Sequence, residues 1–164
     1  MTSVYVNWGV GLMKLTWKQD YVPPLDLITS VHGFCFYEGK VLLVDLNHRG
    51  WDIPGGHMEE GESPELCFKR EAMEEGYVEG DCKLLGAVEI DHHDNQNWDE
   101  SSKYPIVGYQ LFYRMDIKTI HPFGGEFESD RRTFIETDNI KQYIDVDDVR
   151  QAMLDYALQL EVRN

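Results

Sequence analysis

Gly56-His57-Met58-Glu59-Glu60-Gly61-Glu62-Ser63-Pro64-Glu65-Leu66-Cys67-Phe68-Lys69-Arg70-Glu71-Ala72-Met73-Glu74-Glu75-Gly76-Tyr77-Val78 runs from a glycine-bearing loop into a segment crowded with carboxylates. Ser63 suits a helix N-cap and Pro64 the first helical position. Gly76 is a natural stop just past the last turn. The pattern predicts a helix over 64–75. On a 3.6-residue period Glu71, Glu74 and Glu75 share one face, with Leu66, Ala72 and Met73 opposite and Phe68 at the edge. Glu71 with Glu74 and Glu71 with Glu75 are like-charge neighbours that weaken a bare helix. A divalent cation turns that repulsion into coordination, and carboxylate oxygens are what Mg²⁺ prefers. A solvated acidic helix accounts for three glutamates alone. It does not account for Gly55 and Gly56 upstream, Glu62 at the helix entrance and Arg70 fixed beside Glu71.

Taken together, these residues resemble the Nudix box, G-x5-E-x7-R-E-U-x-E-E-x-G-U, where U is a bulky apolar residue. Gly56, Glu62, Arg70, Glu71, Glu74, Glu75 and Val78 match it at the right spacing. The preceding Trp51-Asp52-Ile53-Pro54-Gly55-Gly56 resembles the usual lead-in. There are two departures. Ala72 is smaller than the usual apolar residue. Gly76 comes one place early, so Tyr77 stands where the family has glycine, which bears on the helix exit more than on the metal face. The resemblance implies an α/β (α+β) fold, the Nudix α/β/α sandwich with a mixed sheet flanked by helices, over residues 28–160. It implies hydrolysis of a diphosphate linkage, with Mg²⁺ as cofactor and Mn²⁺ as substitute. Glu74 and Glu75 are then the leading metal ligands, Glu71 a ligand or the base, and the Gly55 backbone carbonyl a further ligand. Arg70 orients a glutamate of the box, and Glu62 completes the acidic cluster or holds Arg70. Many family members place one more carboxylate in a later loop; Glu126, Glu128 and Asp130 are the candidates, with Glu128 carried forward.

The 164 residues suit one domain, and a composition that is 42% hydrophobic and 12% aromatic is that of a globular chain. We divide it into an N-terminal arm or extra strands, 1–27, and a hydrolase-like domain, 28–164. No apolar run approaches membrane-spanning length, and Met1-Thr2-Ser3-Val4 does not begin a signal peptide, so a cytoplasmic location is expected. Cys35, Cys67 and Cys82 make an odd count without a C-x-x-C pair, which argues against structural zinc and a disulfide framework. The formal net charge of −15 repels long nucleic acids. It repels a phosphorylated substrate too, so metal and local cations must neutralise the phosphates. Arg49, Lys69, Arg131 and Arg132 are the candidates.

Along the chain, Val4, Val6 and Trp8 alternate with polar residues, and Pro23-Pro24 closes the arm. The arm packs on the domain's own flank or on a second subunit, which makes a homodimer one expectation. Strands are predicted over 28–37, 41–46, 82–91, 106–117 and 131–136. In the fourth, Tyr109, Leu111 and Tyr113 share one face and Gln110, Phe112 and Arg114 the other. His32 reads as a core or edge histidine. The polar loop 91–104 carries His92 and His93, a weak metal pair because adjacent side chains chelate one ion poorly. It also carries Trp98 and Tyr104, which stack on a base or pack the loop down. Asp145 is expected to cap a final helix with Val149, Met153, Tyr156 and Leu160 along one stripe.

The expected partner is therefore a small nucleotide-type substrate. A nucleoside triphosphate, ordinary or oxidised, leads; ADP-ribose, nucleotide sugars and dinucleoside polyphosphates are alternatives. From other classes, a nucleotide-sensing module without turnover and a plain acidic structural domain also compete.

Overall fold

The computed structural model describes residues 1–47 and 49–161; the end of the 28–164 division, residues 162–164, lies outside them. Strands β1 (Ser3–Asn7), β2 (Leu12–Gln19), β3 (Ile28–Tyr37), β4 (Lys40–Leu46), β5 (Gly50–Asp52) and β6 (Gly55–Gly56) precede helix α1 (Pro64–Glu71). After it come β7 (Val78–Asp91), β8 (Val107–Ile120), β9 (Ser129–Glu136) and helix α2 (Asp148–Glu161). The strands join one mixed sheet in the order β1-β2-β7-β8-β3-β4-β5, with β6 on β3 and β9 on β4. Among the described residues only the central pair β3–β8 is parallel.

Each face of the sheet carries a helix, so the central strands must be apolar on both sides. Strand β4 meets this with Val41 and Leu43 facing one layer and Leu42 and Val44 the other. Strand β8 sends Tyr109, Leu111 and Tyr113 toward α1 and Phe112 toward α2, as its alternation predicts. Arg114 is buried on the α2 side and fully engaged. Its guanidinium lies 4.3 Å from the Phe36 ring centre, donates to the Ala157 carbonyl at 2.7 Å, and pairs with Asp116 at 2.6 Å. A buried cation needs such partners.

Helix α1 differs from expectation. It buries Cys67 and Phe68, with Ala72 buried just beyond its end, while Leu66 is 58% exposed. Phe68 sets this rotation. It stacks on Tyr113 at 5.8 Å and lies against Gly33, where any side chain would collide with it. The regular helix also stops at Glu71, and a wider π-helical turn spans Ala72–Gly76. At the other end, Asp147 rather than Asp145 caps α2, accepting the Arg150 N–H at 2.8 Å. Val149, Met153, Leu154 and Ala157 form the buried stripe. The N-terminal segment is a β1–β2 hairpin that extends the sheet through β2–β7 pairing.

Candidate active site

Strand β6 hooks back on β3 by pairing Gly56 with Val31 and Gly55 with His32. This brings the loop before α1 against the helix, and a Cβ on Gly56 would stand 2.6 Å from the Glu71 carboxylate. Glycine there is what lets Glu71 approach the backbone. The capping predicted at Ser63 is present, its hydroxyl accepting the Leu66 N–H at 3.2 Å.

Arg70 organises the acids. Its guanidinium grips Glu62 with two hydrogen bonds of 2.6 and 3.1 Å. It also donates to Glu71 at 2.8 Å, to Glu74 at 3.3 Å and to the His57 carbonyl at 3.2 Å. The fork on Glu62 is the strong bidentate kind. It holds the Glu62 carboxyl down at about 2 and raises Arg70 further above its ordinary value. Glu62 also accepts the Glu59 N–H, so it is itself fixed to the loop. Glu62 is thus in direct contact with Arg70, as one of its two implied roles requires.

The π-helical turn separates the two later glutamates. Glu74 faces the cavity, while Glu75 is only 1% exposed and accepts the Gly55 N–H at 2.9 Å. Its other oxygen is buried without a partner among the described residues. Burial pushes its carboxyl up to about 8 and also raises Glu71. Among the described residues no three His, Cys, Asp or Glu side chains already stand in metal-ligating geometry. The donor set nevertheless fits a hard cation. Glu71 and Glu74 each keep one oxygen free of Arg70, and the orphaned oxygen of Glu75 has no cation or donor among the described residues.

Past the turn, Tyr77 takes the left-handed conformation, φ 57° and ψ 42°, at the helix exit. This is the backbone that the pattern's glycine supplies. Its ring stands edge-on to Phe123 at 5.0 Å, and its hydroxyl accepts the Glu126 N–H at 3.0 Å. The 121–128 loop thereby folds back, and Ser129 donates to the Glu75 carbonyl at 2.6 Å. Glu128 reaches the cavity, whereas Glu126 and Asp130 are exposed and off it.

The cavity encloses about 730 Å³. Gly55, Gly56, Arg70, Glu71, Glu74 and Glu128 line one end, with Arg49. Thr29, Ser30 and His32 from β3 and Gly108 and Gln110 from β8 form the middle. The N-terminal hairpin, through Trp8, Val10 and Met13, completes it with Ile90, His92, Tyr104 and Pro105.

Of the expected site residues, Glu62 and Glu75 stand behind this surface rather than on it. Trp98 does not line the cavity; its indole N–H donates to the Tyr104 carbonyl at 3.0 Å, as in the loop-packing alternative, while Tyr104 lines the cavity. Among the candidate cations only Arg49 lies on the cavity. Lys69 pairs with Glu65, Arg131 with Asp45, and Arg132 donates to the Gly76 carbonyl. The neighbouring histidines part company: His92 bonds Asn95 and His93 bonds Asp91. Sequence reasoning missed His32, Ser30 and Gln110 as cavity residues. His32 contacts the Ser30 hydroxyl at 2.8 Å, and burial lowers it to about 4, so its imidazole is neutral at neutral pH. A polar residue inside an apolar strand was its only signal.

The sequence profile described as NUDIX domain matches residues 27–159. No curated protein sequence matches the chain. Solved structures do resemble it. The Bacillus subtilis pyrophosphohydrolase BsRppH superposes with a TM-score of 0.72 at 21% identity, over 97% of each chain. A NUDIX hydrolase from Nitrosomonas europaea gives 0.59 at 19% identity, over 79% of this chain and 86% of its own. The E. coli ORF135 protein gives 0.56 at 18%, over 86% and 98%. At these identities the likeness is one of fold.

Proposed function

The chain belongs to the NUDIX domain family, whose members hydrolyse pyrophosphate bonds and generally use divalent metals, and on that premise we propose that it cleaves nucleoside triphosphates with Mg²⁺. The observation that carries this reading is the Arg70-centred cluster of Glu62, Glu71 and Glu74, backed by the half-satisfied Glu75, at one end of a substrate-sized cavity. A second, independent support is the fold shared along nearly its whole length with a protein named a pyrophosphohydrolase. Glu71, Glu74 and Glu75 would hold the metal, with the Gly55 carbonyl and Glu128 as further donors. The bound metal would supply charge neutralisation for the phosphates and a more acidic water.

The chain's own part is positioning. Glu62 pins Arg70, and Arg70 fixes one oxygen each of Glu71 and Glu74, so their free oxygens are presented without rotamer freedom. Arg49 brings positive charge to the phosphates. Hydrolysis adds one water across the P–O–P bond, and in this reading Glu71 serves as a metal ligand or accepts the proton that water loses.

Mass analysis of products from a panel of ordinary and oxidised nucleoside triphosphates, ADP-ribose, nucleotide sugars, dinucleoside polyphosphates and a 5′-triphosphorylated oligonucleotide tests the substrate class. The expected outcome is nucleoside monophosphate and pyrophosphate from triphosphates. Turnover confined to ADP-ribose or nucleotide sugars would overturn the substrate, and nucleotide binding without turnover would overturn the enzyme.

A further inference from the structure

We propose that the N-terminal hairpin and the 91–105 loop build a nucleobase subsite, in which the Nε2–H of His92 is the specificity-determining hydrogen-bond donor. This deepens the reading above and rests on it for the identity of the phosphate end.

The cavity crosses the sheet from β2 to β6, with β7, β8 and β3 between. At an inter-strand spacing of ~4.8 Å, four steps separate the hairpin from the glycine–glutamate end by roughly 19 Å. A ligand with its phosphates at the carboxylates therefore has its other end against the hairpin. That end is apolar and aromatic: Trp8, Met13, Ile90, Tyr104 and Pro105 line it. Trp8 is 54% exposed, an open indole at a cavity wall. Flat aromatic surfaces suit a heteroaromatic ring, because base stacking needs only a π face.

One polar group is set among them. Asn95 fixes it. The Asn95 side-chain carbonyl accepts the Asn97 N–H at 2.9 Å, and its amide nitrogen donates to the Val10 carbonyl at 3.1 Å. These two bonds orient the amide, so the same nitrogen is the donor to His92 Nδ1 at 3.0 Å. An imidazole that accepts at Nδ1 carries its hydrogen on Nε2. His92 is 7% exposed, lines the cavity, and has no partner for Nε2 among the described residues. Burial also lowers its pKa, which keeps the ring neutral. The Nε2–H therefore opens onto the cavity, where a ring nitrogen or carbonyl of a base would take the place of water as its acceptor. Val10 belongs to the hairpin, so the hairpin that walls the subsite also sets the tautomer.

The test is calorimetric binding of four non-hydrolysable nucleoside triphosphates, with inorganic tripolyphosphate as the base-free reference. Wild type is expected to prefer one base and to bind it more tightly than tripolyphosphate. In His92→Phe the nucleotide-to-tripolyphosphate affinity ratio should fall ~10-fold and the base preference flatten, as loss of one hydrogen bond predicts. Trp8→Ala, at an exposed position, should lower the ratio for all four bases alike. Nitrogen-15 NMR should find the His92 hydrogen on Nε2. An unchanged ratio in both variants, or a hydrogen on Nδ1, would overturn the proposal. Absence of turnover with intact base-dependent binding would instead fault the catalytic reading alone.

Discussion

Glu75 is the residue on which stability and function pull in opposite directions. Its carboxyl is buried with one oxygen unpartnered, and burial raises it from 4.5 to about 8. The folded protein then holds a proton that the unfolded chain has released between those values. That stabilisation is full below about pH 4.5 and is lost as pH rises through 8. Metal-free protein should therefore melt at falling temperature from pH 5 to 9, a range set by that shift. Glu75→Gln, a neutral isostere, should flatten the fall and melt higher than wild type at pH 9 in EDTA while losing activity. Parallel pH profiles for the two proteins would contradict this. Arg70→Lys keeps a charge but loses the fork on Glu62, and kcat should drop ~10-fold or more with a smaller change in KM. Glu71 and Glu74 were legible from helix spacing, and Glu62 and Arg70 from the resemblance of the whole stretch to the Nudix box. His32, His92 and Trp8 were not, because distant chain segments bring them to the same cavity.

Helix α1 and its π-helical exit are one functional element. Reading the segment as a single helix over 64–75 put all three glutamates on one face; the wider turn sends Glu75 inward and leaves Glu74 in the cavity. The one-place shift of Gly76 and the wider turn occur together, and Tyr77 then adopts the left-handed exit itself. That conformation costs a non-glycine residue about 1–2 kcal/mol. Tyr77 returns the cost in part by holding Phe123 and the Glu126 N–H, and with them the loop that carries Glu128. Tyr77→Gly relieves the backbone and loses the ring, so its melting temperature should change by only a few degrees while kcat falls ~5-fold or more. Tyr77→Phe, which keeps the ring and loses the hydroxyl, should fall between. Equal activity in Tyr77→Gly and wild type would free the loop from this role. Strand positions were readable from alternation and apolar runs, β3 to the residue. The parallel β3–β8 pairing was not, because register across some eighty residues leaves no local trace.

For the whole molecule, the sandwich places the α1 layer and the hairpin at two ends of one cavity, and the negative field of a −15 chain makes cation binding the condition for phosphate binding. No helix among the described residues is long and apolar enough to cross a membrane. Mg²⁺ with a nucleoside triphosphate should raise the melting temperature by several degrees, since saturation near 100 times Kd adds ~2.7 kcal/mol, whereas the nucleotide without metal should add little. Light scattering would decide whether the homodimer expected from the arm forms. Most direct is a phosphorus-31 NMR time course of a nucleoside triphosphate with wild type and Glu74→Gln, each in Mg²⁺ and in EDTA. The account predicts pyrophosphate and monophosphate resonances from wild type only with Mg²⁺, and at least ~10²-fold slower formation by the variant. Full turnover in EDTA, or equal rates for the two proteins, would contradict it.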